Sequence, residues 1–206
     1  MSTIEVVNHV TLDGVMQAPA HPDEDRRGGF EHGGWAPPYS DEVQGQYMGA
    51  RMSSGGGRLL LGRWTYEKFE DAWQKQPEDN PIRQVLEAST KYVVSRSHLE
   101  LGWQNSVLLE GDAVDTVAEL KSREDGGIVI LGSGELIRAL LPHGLIDAFL
   151  LTIHPLVLGS GRRLFGDDGS LAKFKLVEST PTTTGVLITR YERAGTSAPR
   201  PAASGS

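Results

Sequence analysis

Gly127-Ile128-Val129-Ile130-Leu131-Gly132-Ser133-Gly134-Glu135-Leu136-Ile137-Arg138-Ala139-Leu140-Leu141-Pro142 is the stretch whose reading decides the fold. Its first residues form an unbroken apolar run, rich in β-branched side chains and too short for a stable helix. Such a run predicts a strand buried on both faces, as in a mostly parallel sheet. The glycines then allow a sharp turn, with Ser133 as the expected N-cap. Leu136, Ile137, Leu140 and Leu141 fall on one face of a helix that Pro142 and Gly144 end. Strand, Gly-x-Gly and helix start together suit an anion, because bare backbone permits close approach and free N–H groups attract negative charge. An ordinary tight βα turn has the same signature, so the anion seat needs support from elsewhere in the chain.

The 206 residues are enough for one full-sized α/β domain and leave no room for a second of equal size. With 38% hydrophobic and 23% charged residues, a folded globule is expected. A net charge of −7 argues against nucleic-acid and anionic-membrane partners, while leaving room for a local basic pocket. There is no cysteine, hence no disulfide, thiolate metal site or cysteine nucleophile. No signal peptide and no bilayer-length apolar run is evident, so a cytoplasmic protein is expected.

Outward from the central stretch, Ile4 to Leu12 reads as the first strand, ended by Asp13-Gly14. Met16 to Tyr39 has Pro, Gly and charge but no periodicity. A loop this long inside a compact domain is commonly a lid, and Phe30, Trp35 and Tyr39 could stack on a flat ligand. A surface loop pinned by its aromatics fits equally well. Ser40 to Met52 predicts a helix with Ser40 as N-cap, and Arg58 to Leu61 a buried strand followed by a helix to about Trp73. Pro81 to Ala88 predicts a helix, Lys91 to Ser95 and Val107 to Leu109 strands. Asp112 is expected to cap a helix to about Arg123 with Val114, Val117, Ala118 and Lys121 on its buried stripe. Ile146 to Pro155 predicts a long central strand, and Phe174 to Glu178 with Val186 to Glu192 an antiparallel closing pair. The whole predicts a doubly wound, mixed α/β sheet in a single domain over residues 1–193, with 194–206 a disordered tail.

Ligands of open α/β sheets collect outside the carboxyl ends of the strands, and three such ends carry suggestive chemistry. Gly62-Arg63-Trp64-Thr65 offers a guanidinium and a hydroxyl at a helix start, suited to a pyrophosphate. Ser95-Arg96-Ser97 offers an Arg between two hydroxyls, suited to the extra phosphate on the adenosine ribose of NADP. Gly132-Ser133-Gly134 is the third seat. Each alone has a bland reading as turn or surface arginine, but together they match one dinucleotide phosphate. No complete G-x-G-x-x-G follows the first strand.

These elements, with Leu12-Asp13-Gly14 and the late Pro155-Leu156-Val157-Leu158-Gly159-Ser160-Gly161-Arg162-Arg163-Leu164-Phe165, resemble in order and spacing the dihydrofolate-reductase-like family. The nearer likeness is to the reductase domain of the bifunctional riboflavin-biosynthesis deaminase–reductase and its stand-alone bacterial relatives. It runs from about Ile4 to Glu192. The resemblance implies a dihydrofolate-reductase-like three-layer sandwich, its central sheet mostly parallel with an antiparallel C-terminal strand pair. It implies NADPH as cofactor, a small-molecule substrate and a homodimer. Carried over by position, Gly62, Arg63 and Thr65 would hold the pyrophosphate side, Ser95, Arg96 and Ser97 the 2′-phosphate, and Gly132, Ser133, Gly134, Glu135 and Leu136 the phosphates and ribose. The first strand and the loop after Asp13 would line the nicotinamide. Dihydrofolate reductases hold their pterin with one carboxylate on the helix after the lid; Asp41 and Glu42 lie in roughly that region and also suit a helix N-terminus.

The implied chemistry is hydride transfer to an electrophilic C=N, C=O or activated C=C, followed by protonation. His9, Asp13 and Trp35 are the candidates for substrate contact, the first two as proton source or water positioner and the third as a lid aromatic over a planar ring. No residue stands out as the catalytic one. His9 also reads as a packed strand residue, and Asp13 before Gly14 as a turn former. The lid acids and histidines (His21, Asp23, Glu24, Asp25, His32) lack the spacing of a rigid metal site, so no metal is expected. A non-catalytic nucleotide-binding or sensor protein with the same pocket is the alternative.

Overall fold

The computed structural model of the chain describes residues 1–54, 57–166 and 171–195. Its eight strands are β1 (Thr3–Thr11), β2 (Arg58–Gly62), β3 (Thr90–Ser95), β4 (Ser106–Glu110), β5 (Gly127–Leu131), β6 (Ala148–His154), β7 (Phe174–Pro181) and β8 (Leu187–Arg193). They form one sheet in the order β4-β3-β2-β5-β1-β6-β8-β7. The first six listed are mutually parallel, and β8 runs antiparallel between β6 and β7. The helices are α1 (Glu42–Ser54), α2 (Arg63–Gln74), α3 (Pro81–Ala88), α4 (Ala113–Arg123) and α5 (Gly134–Leu140). This is the mostly parallel α/β sheet, with its antiparallel C-terminal pair, that the alternation of apolar runs predicts.

Apolar pattern and register divide the sheet into two faces. Ile4, Val6 and Val10 of β1 join Ile128 and Ile130 of β5 under Val117, Leu120, Leu136, Ile137 and Leu140 of α4 and α5. On the opposite face, Leu59, Leu61 and Val93 pack under Tyr66 of α2, Leu86 of α3 and Trp103. The parallel register sets Val7 beside Leu131 and Leu150, and Leu59 beside Val129, so these side chains share that second face. Met48 of α1 and Phe69 and Trp73 of α2 border a groove that they floor. The predicted stripe on α4 is corrected: Ala118 is exposed, and Val117 and Leu120 are the buried pair. Lys121 instead reaches off the helix to Asp147 and the Leu145 carbonyl.

Two predicted caps also change. Ser40 lies outside α1, and Asp41 caps it, its Oδ1 accepting from the Gln44 amide at 2.9 Å. The other Asp41 oxygen accepts from the Thr183 amide and hydroxyl, both at 2.6 Å, so one carboxylate starts α1 and clasps the β7–β8 turn. Ser133 makes no capping bond: its backbone is left-handed (φ 53°, ψ 42°) and its hydroxyl is used across the sheet. The helices at Pro81 and Asp112 follow the sequence reading, with Asn80 and Asp112 accepting from the amides two and three residues on.

The Met16–Tyr39 segment is ordered without being regular. Short 3-10 turns at Arg27–Gly29 and Pro37–Tyr39 punctuate it, and Val15, Ala18, Phe30, Trp35 and Ala36 form a small core of their own. It runs beside the 155–164 loop through bonds from Met16 N to Arg162 O and Leu164 N to Gly14 O, both 2.9 Å. Gly161 is required there, since a Cβ would sit 2.7 Å from the Phe30 ring. Of the predicted tail, residues 196–206 lie outside the described residues. No helix among the described residues is long and apolar enough to cross a membrane.

Candidate active site

The three strand ends singled out in the sequence meet. Gly62, Arg63, Thr65, Ser95, Arg96, Ser97 and Gly132 to Leu136 all line one cleft, which extends from the carboxyl ends of the parallel strands along the sheet as far as Thr3, Gly127 and Ala148. The turns are stitched to one another. The Ser133 hydroxyl accepts from the Gly62 amide and donates to the Leu131 carbonyl, each at 3.1 Å, while the Ser133 amide donates to Thr65 Oγ1 at 3.1 Å. The Asn8 side chain clasps Gly132 from β1, accepting from its amide at 2.9 Å and donating to its carbonyl at 3.2 Å. Gly132 is itself left-handed (φ 58°), and a Cβ there would press on Thr65 at 3.2 Å. The first intrahelical bond of α5 runs from Ile137 N to Ser133 O, which leaves the amides of Gly134, Glu135 and Leu136 as first-turn donors.

Charge is distributed unevenly around these turns. Arg63 pairs with Glu67 at 2.8 Å and touches Ser97 Oγ at 3.4 Å. Arg162 pairs with Glu135 at 2.6 Å. Arg96 is exposed and has no ion-pair partner among the described residues. Ser95 is buried, its hydroxyl donating to the Ser97 carbonyl at 2.7 Å, which holds Arg96 at the tip of a tight turn. Leu136 is in the core beneath the turn rather than open to the cleft's centre. An uncommitted guanidinium, serine and threonine hydroxyls and free first-turn amides suit a polyphosphate, so the residues present fit a nicotinamide dinucleotide phosphate.

His9, Asp13 and Trp35 lie apart in function. Asp13 is turned away from the cleft: it accepts from Thr11 Oγ1 at 2.6 Å, Gly159 N at 2.9 Å and Leu158 N at 3.3 Å, pinning the late loop to the end of β1. Those bonds, the Thr11 hydroxyl first, hold its carboxyl below the usual range. The Trp35 indole is buried in the small core of the 16–39 segment and donates to the Gln17 carbonyl at 2.8 Å. Gln17 also donates to the carbonyls of Asp25 and Arg27 and accepts from Arg162 N at 2.9 Å. The 16–39 segment rests on α2 through the Arg27 guanidinium, 4.0 Å over the Trp64 ring, with Lys68 4.9 Å from the same ring.

His9 lines the cleft, one residue beyond the Asn8 that holds Gly132. Its Nδ1 is 2.9 Å from Nε2 of His154, a residue the sequence reading passed over. His154 is fully buried at the end of β6, and Trp35 and Tyr39 roof it edge-on at 5.1 and 5.7 Å between ring centroids. Burial lowers both histidines to about 4, and for His154 the neighbouring His9 adds to it. Both rings are therefore neutral at pH 7. The signal for His154 was an ionisable residue ending an apolar strand, two positions along the β6 face from Thr152, which lies in register with His9.

Fold and site together define a dihydrofolate-reductase-like α/β protein with a cleft that takes in the ends of its parallel strands. The chain belongs to the RibD C-terminal domain family, whose model matches residues 2–188. Two Bacillus subtilis (strain 168) proteins are similar in sequence. YyaP is 28% identical over 136 residues, 65% of this chain and 72% of that protein. YwjB is 29% identical over 118 residues, 57% of this chain and 63% of that protein. Among solved structures, a Shewanella sp. PV-4 protein described as a riboflavin biosynthesis protein aligns over 93% of this chain and 99% of its own, with a TM-score of 0.65 and 24% identity. Acinetobacter baumannii RibD aligns over 94% of this chain and 58% of its own (TM-score 0.61, 14% identity). Enterococcus faecalis dihydrofolate reductase, solved with NADP(H), aligns over 93% and 96% (TM-score 0.58, 15% identity). At these identities the structural likeness establishes the fold.

Proposed function

We propose that this protein is an NADPH-dependent reductase acting on a small, flat heterocyclic, carbonyl or imine substrate. The observation that carries the reading is the convergence of Arg63, Arg96 and Ser133, from three separate strand ends, on one cleft. Arg96 supports the phosphorylated form of the cofactor, being an exposed cleft arginine that neither a carboxylate nor a backbone carbonyl engages among the described residues, whereas Arg138 and Arg193 are held by carbonyls. The family membership and the NADP(H) in the Enterococcus faecalis enzyme support the same choice.

When bound, the nicotinamide supplies the hydride. The protein's part is to fix both reactants. The Gly62–Thr65 and Gly132–Leu136 turns hold the pyrophosphate by backbone amides and hydroxyls, and the Ser95–Ser97 turn presents Arg96 to the ribose phosphate. The groove floored by Val7, Val129, Leu131 and Leu150 continues from those turns and takes a flat ring by burial, beside the Arg51–Glu5–Arg190 ion-pair cluster that lines the same cleft. The reading carries a homodimer with it, which sedimentation would check.

Fluorescence titration with NADPH and NADH tests the cofactor assignment, because Trp64 lines the cleft half-exposed. NADPH is expected to quench and to bind at least tenfold more tightly than NADH. Absence of quenching by either nucleotide would reject it. NADPH consumption with imines, quinones and dihydropterins then separates a reductase from a binding protein.

A further inference from the structure

At the junction of the phosphate turns and the apolar groove stands a polar group that the cofactor does not require. His9 projects from β1 on the face shared with Val7, next to the strand that carries Leu131 and the Gly132 turn. Its Nδ1 is engaged by His154, and its Nε2 has no partner among the described residues. One proton lies between the two rings, so one ring donates and the other accepts. If His9 donated, His154 would carry its own proton on Nδ1. That atom is buried and without a partner among the described residues, walled by Trp35 and Tyr39. An orphaned N–H in such a place is rarer and costlier than a bare ring lone pair. The favoured arrangement is therefore His154 Nε2–H donating to His9 Nδ1, which puts the His9 proton on Nε2, at the cleft.

We infer that His9 is a substrate-facing hydrogen-bond donor, set in its Nε2–H tautomer by His154, and that the substrate is a planar molecule presenting a carbonyl oxygen or imine nitrogen to it. This rests on the reductase reading. In the reduction, the carbon of the C=O or C=N takes the hydride of the nicotinamide reductant, and the π pair withdraws to the heteroatom. His9 Nε2–H stabilises the charge growing there and keeps its proton; solvent water protonates the heteroatom. A neutral imidazole suits this role, because it gives a hydrogen bond without placing a second cation beside an apolar floor. His154 is a positioning residue and touches neither reactant.

The test uses the full chain labelled with 15N. Long-range 1H–15N correlation spectra at pH 7.5, with and without NADP+, should show His9 as the Nε2–H tautomer and His154 also as Nε2–H. Quinazolin-4-one, an uncharged bicyclic carbonyl, serves as probe. It should shift the His9 Nε2–H resonance, and His9→Phe should weaken its binding about fivefold to tenfold, the range for losing one neutral hydrogen bond. His154→Phe should leave His9 a mixture of tautomers, and His154→Gln, whose amide can donate in place of Nε2–H, should restore the single form. His9 found as Nδ1–H in the native chain, or equal probe affinity for native and His9→Phe proteins, would overturn the inference. The native-chain spectrum decides even if a variant fails to fold. Failure of NADPH to bind, with the His9 tautomer intact, would count against the cofactor reading alone.

Discussion

The paired histidines, His154 fully buried and His9 partly so, make the stability of the fold depend on pH in a way that can be counted in protons. In the unfolded chain each imidazole titrates near 6.5, and in the folded protein burial lowers His9 and His154 to about 4. Between those values the unfolded state binds more protons than the native state. Stability is therefore fully present at neutral pH and falls as the pH drops from 6.5 towards 4. Each ring contributes a slope of up to about 1.4 kcal/mol per pH unit in that window, about 2.7 for both, and a single ring withdraws on the order of 3 kcal/mol across it. No ion pair engages either ring among the described residues; their ring contacts are with Trp35, Tyr39 and each other, and Thr11 and Thr152 are their partners in the β1–β6 register. Urea unfolding followed by tryptophan fluorescence, at half-unit steps from pH 7 to 4.5, measures the slope. His154→Gln removes one titrating ring, so the difference between native and variant curves isolates it from the carboxylates. A difference close to one proton near pH 5 is expected. Parallel curves would mean that His154 is hydrated in solution and that the aromatic roof does not exclude water.

Replacing Arg96 by Ala should weaken NADPH by roughly tenfold to a hundredfold, the loss of a charged hydrogen bond, and leave NADH nearly unchanged; calorimetry with both nucleotides decides, and equal losses would count against its assignment. Gly132→Ala places a side chain at positive φ against Thr65, and should cost about 1–2 kcal/mol of stability in urea titrations while weakening NADPH. Trp64→Ala removes the ring on which Arg27 lies, so limited proteolysis should cut the 16–39 segment faster than in the native protein, with the thermal midpoint little changed.

The fold was legible because its signals are local. Apolar runs of strand length alternate with helical stripes, and Pro81 and Asp112 mark helix starts by chemistry confined to a few residues. The three turns proposed to hold phosphate could be picked out for the same reason, each lying directly after an apolar run. Partnerships across the sheet were not legible. The Ser133 hydroxyl bonds Gly62, 71 positions away, and His154 meets His9 at a separation of 145; no window of sequence holds either pair. Asp13 shows the same limit from the other side. Beside Gly14 it reads as a turn former or a substrate ligand, and only the approach of Leu158 and Gly159 assigns its oxygens. On α4 the period was right and the phase was one residue off, because Lys121 has an aliphatic stem that mimics an apolar position while its amine leaves for Asp147.

The hydroxyl and amide stitches at Ser133 and Asn8 join the ends of β1, β2 and β5, three strands at the middle of the sheet. Opening any one of those turns strands the polar groups of the other two, so the cleft's rim cannot breathe independently of the molecule as a whole. Amide exchange at Gly62, Gly132 and Ser133 should accordingly proceed only through global unfolding. On the proposed function, a dinucleotide would meet a surface already set there, and the entropy of ordering would fall on the visitor rather than on its host.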